Sequence, residues 1–255
     1  MPSPDKNIIF GTLESPTSTQ SLDPCACCDP PPPPAHNAPT TPPPADNFDV
    51  PANHPTNTVF YLTLTAPHTD NFAIRGPAAD FRGLLPHILA ASSNSPEAIR
   101  KLAILRGDEE FGFDDLGFST FIIPLARGAY IALKVVRKVN EPVTRLLRYG
   151  GGSPIYLITS HGPLSHDIST GSRIVSSGRA KGRAANSRLV GSAVDFERAK
   201  RIARETLLDR EGKDKMKWTE SGTKSSWLVF GMDEKALWEV RVEMVEHRTL
   251  GGMMG

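Results

Sequence analysis

The 255-residue chain reads as an α+β protein: two tandem ββαββ-type units, each an antiparallel sheet packed on a helix, after a disordered N-terminal tail. Three observations point there. The first 56 residues are crowded with proline and poor in large apolar side chains. Two later stretches repeat similar blocks in the same order. Those blocks carry the hydrophobic periods of strands, two residues, and of helices, 3.6 residues.

The tail, residues 1–56, contains Pro30 to Pro34 and Pro42 to Pro44. Such runs favour polyproline II, and the sparse apolar groups do not offset the entropy of ordering. The plain expectation is a spacer. The functional one is a docking peptide for a protein with an aromatic-lined groove, although Pro30–Pro34 has no adjacent Arg or Lys to fix an SH3-type orientation. All three cysteines, Cys25, Cys27 and Cys28, lie in this tail. They lack the paired Cys-x2-Cys spacing of zinc sites, and His36 is the nearest fourth ligand, so neither a metal nor another cofactor is expected.

Asp5, Lys6 and Glu14 interrupt the N-terminus, and Ile8-Ile9-Phe10 is too short for the apolar core of a secretory signal. No segment approaches the roughly 20 apolar residues of a membrane span. A folded part without cysteine fits a reducing compartment. The expectation is a protein without a membrane partner, cytoplasmic or nuclear.

The repeat has three blocks. Tyr61-Leu62 and the residues to Thr65 match Tyr156-Leu157 and the residues to Ser160, each as a strand. Gly76-Pro77-Ala78-Ala79-Asp80-Phe81 matches Gly191-Ser192-Ala193-Val194-Asp195-Phe196, with Gly, Ala, Asp and Phe identical. Asp80 and Asp195 stand where a helix wants an N-cap. Phe196, Ala199, Ile202, Ala203 and Leu207 then form a helical stripe. In the first copy Gly83 and Pro86 weaken or bend the equivalent helix, and Ser95-Pro96 starts another. The third block is a hairpin: Phe121–Ile123 with Ala129–Val135, matching Trp227–Val229 with Ala236–Val242. In the second copy Trp238, Val240, Val242 and Met244 alternate with Glu239, Arg241 and Glu243, the pattern of a sheet with one wet face.

The expected units are 57–149 and 154–249, joined by a Gly-rich linker at 150–153 and followed by a disordered C-terminus at 250–255. The two sheets can also merge into one. The second unit carries a basic insertion at 165–188.

Charge and polarity supply the functional hints. A formal net charge of +1 hides an asymmetry. Residues 1–56 hold six acids and one base, and residues 172–217 hold thirteen bases and six acids. Arg173, Arg179, Lys181, Arg183 and Arg188 in the insertion, with Lys200, Arg201 and Arg204 on the helix beyond, could follow the phosphates of a nucleic acid or another polyanion through 172–188. The segment lacks the aromatic side chains that stack bases, and a solvated loop is the plain alternative. His161, His166 and Asp167 fall in the expected turn after the strand ending at Ser160, where imidazole and carboxylate together could bind a transition metal or perform acid–base work. His68 and Asp70 occupy the matching turn of the first copy. On the first copy's last strand, the face opposite Ile131, Leu133 and Val135 carries Tyr130, Ala132, Lys134 and Val136 and is more apolar than its second-copy equivalent, so Tyr130, Ala132 and Val136 are expected to pack on the other copy or a partner.

No nucleophile elbow, phosphate loop or metal motif is present. The leading expectation is therefore a non-catalytic binding or scaffolding protein of unknown ligand. Polyanion binding through the insertion is the alternative, and an enzyme with a site at 161–167 is the second. No pattern here speaks to oligomeric state.

Overall fold

Phe60, Leu62 and Leu64 alternate with Val59, Tyr61 and Thr63 along one strand. Both of its faces are rich in large side chains, so both must be covered. The computed structural model, which describes residues 44–50, 54–108, 112–150, 152–165, 181–209, 217–232 and 236–245, shows how.

The first sheet holds β1 (Thr58–Ala66), β2 (Asn71–Ala78), β3 (Thr120–Pro124) and β4 (Tyr130–Val139), in the order β2-β1-β4-β3. Its neighbouring strands are antiparallel. The helices α1 (Leu85–Ser92), α2 (Pro96–Gly107) and α3 (Phe113–Leu116) lie between β2 and β3 in sequence. The second sheet holds β5 (Ile155–Ser165), β6 (Ser187–Ala193), β7 (Lys217–Gly222), β8 (Ser226–Met232) and β9 (Ala236–Val245), in the order β6-β5-β9-β8-β7. It too is antiparallel. Three further helices are α4 (Glu141–Tyr149), α5 (Arg183–Asn186) and α6 (Phe196–Leu208). The fold is α+β with two separate sheets, not one merged sheet.

Helix starts follow capping chemistry. The Asp195 carboxylate accepts the Arg198 N–H at 2.7 Å, and Ser95 Oγ accepts that of Ala98 at 3.4 Å. Asp80 accepts the Gly83 N–H at 2.9 Å, stabilising a short 3-10 turn before α1. Pro86 sits in the first turn of α1, where no N–H is needed, so it opens the helix and does not bend it. Asn140 caps α4, with Pro142 in its first turn.

Three apolar clusters hold these elements. Phe60, Leu62, Leu133 and Val135 meet Phe81, Ile88 and Leu102 of the first helical layer. Phe81, Phe113 and Phe118 pack edge-to-face and stacked, with ring centroids 5.5–6.2 Å apart. Tyr156, Ile158, Val240 and Val242 meet Ala199, Ala203 and Leu207 of α6. The third cluster lies between the sheets: Val59 and Tyr61 of β1 against Ile155, Leu157 and Leu189, with Val143 of α4. The layers therefore run helices, sheet, sheet, helix.

That arrangement changes three readings. The face of β9 expected to be wet is covered in part, because it turns toward the first sheet; Glu239 is only 8 % exposed. Trp227 is buried, whereas Trp218 is about half exposed on the edge strand β7, an element the sequence pattern did not suggest. Residues near 44–50, assigned to the tail, border β3. Asn47 pairs with Thr120, and the Asp46 carboxylate accepts the Ile122 N–H at 2.7 Å while holding Lys101 Nζ at 2.7 Å. Pro30 to Pro34, Pro42, Pro43 and the three cysteines lie outside the described residues.

Candidate functional site: a cleft between the sheets

The apolar contact between the sheets reaches Val136 on β4. Toward the start of β4 the inward face carries Lys134, Ala132 and Tyr130, and there the sheets part into an open cleft of about 660 Å³. Its floor is the inner face of β1, β4 and β3, through Thr63, Thr65, Lys134 and Thr120. Phe72 and Asp70 close one side, and Ala184, Ala185, Ser187 and Leu189 of α5 and β6 form the opposite wall. Strand alternation explains the composition. Ile131, Leu133 and Val135 point into the helical layer, which leaves residues 130, 132, 134 and 136 facing the other sheet.

Among the described residues one acid borders the cleft, Asp70, and it is already engaged. Its left-handed backbone, φ 51°, turns the carboxylate toward α5. There it accepts the N–H groups of Gly182 at 2.7 Å and Ala184 at 2.9 Å. Burial pushes its pKa up, but the N–H groups of Ala184, Gly182 and Arg183 and the Arg183 charge outweigh that and hold it below the usual carboxylate range. The bonds tie the β1–β2 turn to the wall of the cleft.

A second polar group lies beside it. Ser187, His161 and Glu239 stand opposite one another across β6, β5 and β9. Ser187 Oγ is 2.6 Å from His161 Nδ1, and Thr159 Oγ1 is 3.0 Å from Nε2. The Glu239 Oε2 atom accepts hydrogen bonds from Arg183 and Arg241. Burial first, then the Arg183 and Arg241 charges, push the imidazole pKa down to about 4 against the opposing pull of Glu239. A serine hydrogen-bonded to an imidazole is the geometry of an activated nucleophile. Here, however, the carboxylate serves two guanidinium groups, both ring nitrogens are engaged, and the imidazole is a weak base near neutral pH. The row ties strands together more readily than it moves protons.

His161 does not sit in a turn. A bulge between His161 and Leu164, with Gly162 at φ 135°, lets β5 run on to Ser165, so Gly162-Pro163 bends the strand without ending it. His166, Asp167, Arg173 and Arg179 lie outside the described residues. Lys181 is exposed and bridges Ser165. Arg183 pairs with Glu239 at 2.9 Å. Arg188 is exposed on β6, opposite Ser160. Lys200, Arg201 and Arg204 belong to α6, on the far side of the second sheet from the cleft. Lys200 binds Glu197, Arg204 binds Glu220, and Arg201 is exposed. The described bases are thus divided between two faces. Tyr130, Ala132 and Val136 come together on the cleft floor.

Among the described residues no group of three or more His, Cys, Asp or Glu side chains could hold a metal ion. None of their helices is long and apolar enough to cross a membrane. The architecture is a two-sheet α+β protein with an open cleft between its sheets. No protein-family model matches the chain, and no curated protein or solved structure is significantly similar to it.

Proposed function

We propose that this chain is a non-catalytic binding protein that takes a small ligand in the cleft between its sheets. The observation that carries the reading is the cleft itself. Its volume of about 660 Å³ falls within the roughly 300–1,000 Å³ of small-molecule sites. Its lining joins apolar surface from Phe72, Tyr130, Ala132 and Leu189 to a few polar side chains, the usual composition of such sites. The neutral, doubly bonded imidazole of His161 favours binding over catalysis.

We also infer that residues 57–149 and 154–249 are diverged copies of one unit, joined at 150–153. Support comes from matching strand orders, β2-β1-β4-β3 and β6-β5-β9-β8, and from the capping bonds of Asp80 and Asp195. On this reading the cleft is where the copies ceased to match each other.

Fragment screening by saturation-transfer NMR tests the binding reading. Aromatic fragments should bind the full chain and lose that binding in Ala132→Trp, which fills the floor, at unchanged melting temperature. Binding that survives in a folded Ala132→Trp protein, or no binding to the wild type, would count against the cleft as the site.

A further inference from the structure

We propose that the ligand is a small amphipathic carboxylate: an apolar body on the aromatic and aliphatic lining, with its acidic group on Lys134. This inference rests on the binding reading above and deepens it. Lys134 occupies a central strand, between Thr63 of β1 and Thr120 of β3, on the face turned toward the other sheet. A residue at such a place normally packs against the facing sheet, as Val136 does two positions on. Lys134 instead opens into the cleft, exposed. It makes no ion pair among the described residues.

The single acid at the cleft among the described residues gives no local neutralisation. Asp70 is directed at the N–H groups of α5, at 2.7 and 2.9 Å. Lys134 on the floor is therefore an uncompensated cation within partly apolar walls, and Arg188 stands at the opposite wall, also without an ion pair among the described residues. Low-dielectric walls strengthen the pull of such a charge on an anion relative to open solvent. Carboxylate suits the place better than phosphate. Phosphate is commonly gathered by backbone N–H groups, and those at the start of α5 already serve Asp70.

Calorimetric titration of the full chain with 1-naphthaleneacetate and with its uncharged twin, 1-naphthaleneacetamide, tests the inference. The two probes share one apolar body and differ in charge. The acetate should bind about tenfold more tightly, the difference expected of one charge-assisted contact. Lys134→Gln should abolish that preference, and Lys134→Arg should keep it. Equal binding of both probes by the wild type would overturn the carboxylate reading and leave the cleft reading standing. A preference that persists in Lys134→Gln would overturn it too, because the charge would be read elsewhere. Failure of both probes to bind would remove both readings.

Discussion

The Asp70 carboxylate and the Gly182 N–H lie 2.7 Å apart across 112 positions of sequence, joining the β1–β2 turn to the segment that starts α5. The same carboxylate accepts the Ala184 N–H, so the bond fixes one wall of the cleft against its side. Asp70→Ala should cost about 1–3 kcal/mol, the range for removing the charged acceptor of partly buried donors. Because the pKa of Asp70 is held below its ordinary value, its contribution is complete above the ordinary Asp range. It is lost as pH falls through the lower folded-state value. Urea melts of wild type and Asp70→Ala should therefore converge at the acid end, and a gap that is constant with pH would argue against the assignment.

His161 should titrate in a different window. Its folded-state pKa of about 4 lies below the ordinary 6.5, so the unfolded chain binds the proton first. Stability should fall as pH drops from about 6.5 toward 4, by on the order of 3 kcal/mol for this residue. Imidazole resonances followed by NMR should include one that stays neutral at pH 5 and is missing in His161→Gln. A His161 resonance that titrates near 6.5 would contradict the buried row.

Tyr61 and Ser192 make the corresponding bond between the sheets away from the cleft, with Oη and Oγ 2.5 Å apart. Asn140 Nδ2 donates to the Ser192 carbonyl at 2.9 Å, adding the start of α4 to the same junction. Burial raises the phenol pKa to about 12, against the opposing effect of the Ser192 hydrogen bond. An absorbance titration of the four tyrosines should contain one late component that Tyr61→Phe removes. The variant should lose about 1 kcal/mol, since Asn140 still serves Ser192.

Gly117 and Gly128 both have positive φ, 74° and 73°, but their surroundings differ. A Cβ on Gly117 would stand 2.4 Å from the Phe81 ring, whereas one on Gly128 would meet nothing within 4 Å. Gly117→Ala should thus cost about 3 kcal/mol or more, through strain and displacement of a core aromatic. Gly128→Ala should cost about 1 kcal/mol from the backbone alone. Thermal melts of the pair separate the two terms, and equal losses would show that Phe81 yields freely.

The sequence showed what local periodicity and capping encode. The stripe from Phe196 to Leu207, the cap at Asp195 and the alternation of Trp238, Val240 and Val242 all reappear as α6 and β9. It was silent where long-range contacts decide. Gly162-Pro163 resembles a strand end, yet Leu164 pairs with Leu237 beyond the bulge. Glu239 resembles a solvent-facing residue, yet two arginines from different elements accompany it into the interface. The helix α4 was legible and was missed: Asn140 before Glu141-Pro142 is a cap with Pro in the first turn. The apolar side chains of Tyr130, Ala132 and Val136 marked a buried-looking face. Nothing local said that its other wall would come from residues 184–189.

An amide NMR map of the full chain with and without 1-naphthaleneacetate tests the central claim most directly. If the cleft is the ligand site, the perturbed resonances should cluster at Thr63, Ala132, Lys134, Ala184 and Leu189. Perturbations gathered on α6 or on the outer surface of α1 and α2, or none at saturating probe, would contradict it.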